Sequence, residues 1–122
     1  MKRNIDLIRK LLIYLEEKKD DRMIKEMPKL DDHNSAEVMY HFVLMDEAKL
    51  IRCEREVTES GRVIKVYPFT LTWHGHEFLE ASRNEDIWNK AKTVLKAKSG
   101  SLSFDLLKAL LISMLGESLG LN

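Results

Sequence analysis

Residues 50–71 constrain the fold most. Leu50 to Val57 places Ile51, Cys53 and Val57 on one side of an extended chain, and Val63 to Leu71 is rich in β-branched and aromatic residues. Glu59-Ser60-Gly61, between them, is a turn signal. The two runs together predict a β-hairpin. Pro68 has no backbone N–H to give a neighbouring strand, so the second run lies at a sheet edge there.

The rest of the chain reads mainly as helix. Ile5, Ile8, Leu12 and Leu15 recur at helical spacing behind a capping Asn4, with Asp6 in the first turn and Lys18-Lys19 at the far end. Arg22 to Met27 predicts a short strand ended by Pro28, followed by a polar connection to His33. Asn34 and Glu37 have capping-box spacing and open a second helix. Its apolar residues, Val38, Phe42 and Met45 with Met39, Val43 and Leu44, cover so wide an arc that more than one side must be covered. Thr72 caps a helix running to about Arg83, and Asn84 caps another that turns Trp88, Ala91 and Leu95 inward. Ser99-Gly100-Ser101 is a break, and a last helix runs from Phe104 to about Leu115, stopped by Gly116.

The expected fold class is therefore mainly α with a small β-hairpin (α+β). The expected division is a domain over 1–98 and a C-terminal apolar helix over 99–122. That helix carries Leu106, Leu107, Leu110, Leu111, Ile112, Met114 and Leu115, an arc that needs cover from its own domain or from a second copy. The reading favours a homodimer through it.

Charge excludes a bulk polycation, because twenty Lys and Arg balance twenty Asp and Glu. Locally the balance differs: residues 31–60 hold three basic and eight acidic groups. A lone Cys53 allows no internal disulfide and suits a reducing compartment. Asp6, Arg9 and Lys10 interrupt any leader-like apolar start, and apolar runs such as Ala109 to Ile112 are far too short to cross a bilayer. The expectation is a cytoplasmic protein with no membrane contact.

The segment Val38-Met39-Tyr40-His41-Phe42-Val43-Leu44-Met45-Asp46-Glu47-Ala48-Lys49-Leu50-Ile51 resembles the recognition helix and following strand of bacterial winged-helix regulators. Lys49 stands where those families usually carry Gly, so this turn either tolerates a side chain or has a different backbone. Leu71-Thr72-Trp73-His74-Gly75-His76-Glu77-Phe78-Leu79 resembles the strand-to-helix junction after the wing, with Gly75 allowing a close approach. The resemblance implies a winged-helix-like core followed by C-terminal helices. Nearly the whole chain is also similar to a family of unknown function found in bacteria and their phages. The matching residues are Met1-Lys2-Arg3, Asp6-Leu7-Ile8-Arg9, Leu71 to Leu79, Trp88 and Ser103-Phe104-Asp105-Leu106-Leu107.

A winged helix reads double-stranded DNA with one helix in the major groove and the wing on the backbone. On that reading the contacts are Ser35 and Tyr40 from the helix, and Arg52, Arg55, Arg62 and Lys65 from the wing. The expected role is a small phage-related transcription regulator. Glu37, Asp46 and Glu47 oppose it, because a helix with that charge is repelled by phosphate. The alternative is a non-catalytic protein-protein interaction module on the same scaffold. Edge hairpins also carry charge simply to prevent strand-to-strand association.

Chemistry finds little footing. His74 and His76 point far apart on a helix and suit packing on Trp73 better than a shared metal. His41 reads as a hydrogen-bonded core histidine and Cys53 as a small core residue. No phosphate loop or catalytic triad order is present. The expectation is no enzyme activity, no cofactor, no metal and no small-molecule substrate.

Overall fold

The computed structural model describes residues 1–100 and 103–121, so Ser101 of the anticipated break lies outside the described residues. The element order is α1 (Ile5–Glu16), α2 (Ser35–Glu47), β1 (Ile51–Val57), β2 (Val63–Leu71), α3 (Trp73–Ser82), α4 (Glu85–Ser99) and α5 (Phe104–Ser118). The anticipated α+β class, helical with one antiparallel hairpin, is what the chain forms. It divides into two compact units, Met1–His76 and Glu77–Asn122. Among the described residues no helix is long and apolar enough to cross a membrane.

In the first unit, α1 buries Ile5, Leu7, Ile8, Leu11, Leu12 and Leu15, as its spacing predicts. Each such side chain contributes roughly 1.5–3 kcal/mol on leaving water. Val38, Phe42 and Met45 of α2 join this core with Val66 and Leu71 of β2. Asn4 and Asn34 cap as expected, taking the amides of Leu7 and Glu37 at 3.1 and 2.8 Å. The capping box is half made, because the Glu37 carboxylate turns to His33 Nδ1 at 2.6 Å. His41 is a core histidine, fully buried. Its Nδ1 meets the Glu37 carbonyl at 2.8 Å and its Nε2 accepts the Asn4 amide at 2.8 Å. That pattern requires the neutral ring with the proton on Nδ1, and it ties the start of α1 to α2.

The helix-to-strand turn resolves the question that Lys49 poses. Lys49 adopts φ 61°, the left-handed conformation that Gly normally fills. The amide of Lys49 bonds the Asp46 carbonyl at 2.9 Å, and that of Leu50 bonds the Met45 carbonyl at 2.9 Å, completing a Schellman motif. Holding a side-chain-bearing residue there costs about 1–2 kcal/mol. Burial of Leu50, roughly 1.5–3 kcal/mol, with the two capping bonds outweighs it. Thr72 then locks the turn from the other side: its Oγ1 donates to the Lys49 carbonyl (2.7 Å) and accepts the Gly75 amide (3.0 Å). A Cβ on Gly75 would stand 2.1 Å from the Leu50 carbonyl oxygen, so the close approach requires glycine.

β1 and β2 pair from Ile51↔Leu71 to Val57↔Val63, with register shifts beside Cys53 and Val57 that leave Phe69 and Ile64 as extra residues on β2. Those shifts break the simple alternation expected of β1: Ile51 is buried, Cys53 half-buried and Val57 exposed. The Lys18 ammonium reaches the bulge, donating to the carbonyls of Phe69 (2.8 Å), Asp20 (3.3 Å) and Arg22. The strand anticipated over Arg22 to Met27 does not form. One bond joins this segment to β2, from the Ile24 amide to the Pro68 carbonyl at 2.9 Å. Pro68 has no N–H to return, so the pair of bonds that would extend the ladder cannot close.

In the second unit, Asn84 caps α4 through the Ile87 amide at 3.0 Å, and Gly100 ends it at φ 73°. Trp88, buried, meets Phe78 edge-on, and Phe78 lies 4.5 Å from the Phe104 ring. The last helix does not stop at Gly116. It runs to Ser118 and ends on Gly120 at φ 73°, where the amides of Gly120 and Leu121 return to the carbonyls of Glu117 and Gly116. Glycine inside a helix costs only about 1 kcal/mol, too little to end one without a capping geometry of its own. Leu107 and Leu111 are buried, whereas Leu106 and Ile112 are more than half exposed.

Candidate interaction site

α2 has two apolar sides. One enters the core, and Met39 and Val43 on the other line a groove with β2. The groove, about 630 Å³, is walled by Met27, Met39, Val43, Ile64 and Tyr67 and carries two charged side chains, Lys25 and Lys65. Ser35 and Tyr40 also line it. The wide apolar arc of α2 is thus satisfied on one side by the core, while the other side meets an open groove.

The six residues singled out for DNA do not form one surface. Ser35, Tyr40 and Lys65 come together in the groove; Arg52, Arg55 and Arg62 do not line it. Arg55 grips the Asp46 carboxylate through two contacts of 2.7 and 2.6 Å. An acidic residue in the last turn of a helix opposes the helix dipole, and Arg55 offsets that. Its guanidinium also holds the Asp46 carboxyl below its ordinary value of 3.8. Lys65 stands opposite Glu56 across the ladder. Arg52 is exposed and makes one long contact, 3.5 Å, to the Leu71 carbonyl. Arg62 is exposed at the tip, where Thr58 and Arg62 close the turn and Gly61 takes φ 88°.

Of the groups considered for chemistry, His41 has both ring nitrogens hydrogen-bonded. Burial, aided by the Asp46 carboxylate, pushes the Cys53 thiol up to about 12, far from a thiolate at neutral pH. Trp73 is 79% exposed and forms no cover for the histidines at the start of α3. Among the described residues no three His, Cys, Asp or Glu side chains gather as a metal site. Sequence reasoning missed Lys25, Met27, Ile64 and Tyr67 as groove residues. The surplus apolar arc of α2 was the available signal, and it could not say which other segments would face it.

Residues 2–101 match a family described as "Hypothetical protein (DUF2513)", a span that covers the first unit from Lys2 onward. The chain belongs to that family. A DUF2513 relationship agrees with the resemblance to a family of unknown function drawn from residues 1–3, 6–9, 71–79, 88 and 103–107, the last group lying beyond the match. The chain is also 36% identical over 121 residues to an uncharacterized protein of Haemophilus influenzae strain Rd, spanning 98% of this chain and 99% of that protein. That similarity therefore includes α5, which lies beyond the DUF2513 match. No solved structure matches the chain.

Proposed function

We propose that this DUF2513 protein acts by binding, as a non-catalytic interaction module on a winged-helix-like scaffold, and that the α2–β2 groove takes an apolar segment of a protein partner. One observation carries the reading. Met27, Met39, Val43, Ile64 and Tyr67 line an open groove where a DNA-reading helix would need a polar, cationic face. Methionines suit such a surface because their flexible thioether chains repack around different shapes. The engaged His41 nitrogens and the protonated Cys53 thiol favour binding over catalysis. Such a module suits the cytoplasm, and the open apolar side of α5 suits a second copy of the chain.

The test is affinity purification with the tagged full chain beside Met39→Glu. A protein retained by the parent and lost from the variant supports the reading; recovery of nucleic acid with no protein sinks it.

A second reading, a double-stranded DNA-binding regulator, draws on the order α1, α2, hairpin, α3 and on exposed Arg52 and Arg62. The Arg55–Asp46 pair weakens it, since it neutralises one of its four wing cations, and Glu56 stands opposite a second, Lys65, across the ladder. Random-sequence duplex DNA across a salt series separates the two. Binding that falls steeply with salt and is abolished by Arg62→Glu supports DNA recognition; no binding at low salt removes it.

A further inference from the structure

The groove lies against a strand edge that is only partly satisfied. In the sheet order β1–β2, one edge of β2 faces no strand. The Val66 amide points away from β1 and finds the Met39 sulfur at 3.4 Å. Val66 is fully buried, and a thioether is a weak acceptor for a buried N–H. Two residues along, the same edge already takes a chain segment, through the Ile24 amide on the Pro68 carbonyl. The edge can therefore hold an extended backbone, and the Met39 contact is one that a better acceptor would displace.

We propose that the groove receives an extended, acidic–apolar segment of another protein by strand addition to the open edge of β2. A carbonyl of that segment replaces Met39 Sδ as the acceptor for the Val66 amide. The inference rests on the interaction-module reading and specifies its mode. Strand addition places alternate side chains on one face, so every second residue enters the apolar groove beside Ile64 and Tyr67. The bulge at Ile64 turns that side chain, 39% exposed, into the same groove. Charge selects the rest of the ligand. Lys25 and Lys65 are the charged side chains lining the groove, so carboxylates on the incoming segment are attracted and cations are repelled. Glu56, opposite Lys65, tempers that site and leaves Lys25 as the stronger selector.

The experiment selects short random peptides, displayed as a library, on the full chain. The expected winners carry apolar residues at alternate positions with Asp or Glu beside them. Their affinity falls by about tenfold or more on Lys25→Glu and is kept by Lys25→Arg, and their binding slows hydrogen exchange at the Val66 amide. Winners with apolar residues at helical spacing, or bound peptides that leave Val66 exchange unchanged, overturn strand addition while the interaction module stands. Groove signals that change with protein concentration in the absence of peptide assign the groove to a second copy and overturn it too. A selection in which no peptide perturbs Met39, Val43 or Tyr67 removes both readings.

Discussion

At the scale of single residues, one charge that reads as part of a DNA-facing set, Arg55, serves a structural purpose. Asp46 lies at the C-terminal end of α2, where a negative charge is unfavourable, yet its side chain is 8% exposed and gripped by Arg55 from β1. The pair fastens the helix end to the hairpin. Asp46 titrates below its ordinary 3.8 in the folded chain, so folding favours its ionised form. The stabilisation is complete above 3.8 and is lost as pH falls through the lower folded-state value. Urea melts of the parent and Asp46→Asn at neutral pH should show the parent more stable, with the gap closing as the solution is acidified below that point. A gap that holds constant into strong acid would contradict the assignment.

At the scale of elements, the junction of α2, β1 and α3 is held by several local constraints at once. The Schellman turn at Lys49, the Thr72 cap and the glycine contact at Leu50 meet within a few residues. Gly75→Ala puts a methyl 2.1 Å from a carbonyl oxygen that is already bonded to the Thr72 amide, and backbone must move to admit it. The expected loss is about 3 kcal/mol or more, at the upper end of overpacking penalties, read from the denaturation midpoint. A loss under about 0.5 kcal/mol, the range of ordinary surface changes, would show that the approach is not rigid. By contrast, Arg22 to Met27 has strand-like composition but gains a single backbone bond to β2 and stays irregular.

At the scale of the molecule, apolar surface stands open among the described residues of each unit: the α2–β2 groove in the first, and Leu106 and Ile112 of α5 with Leu119 and Leu121 after it in the second. The homodimer proposed for α5 predicts sedimentation as a dimer at micromolar concentration. Ile112→Glu should convert it to a monomer with unchanged helicity, because that side chain is already 53% exposed. A monomeric parent chain ends the proposal.

Local chemistry written in the sequence settled the helices, their asparagine caps, the hairpin and its turn, and the burial of His41. Each depends on neighbours within a few positions, on periodic spacing or on the cost of burying an unpaired polar group. The groove was decided only by tertiary structure. Lys25, Met27, Met39 and Tyr67 are scattered through three segments, and their meeting depends on the Ile24–Pro68 bond and on how α2 lies against β2. The same holds for Arg55, whose charge reads as available in a linear chain and is neutralised once Asp46 folds beside it.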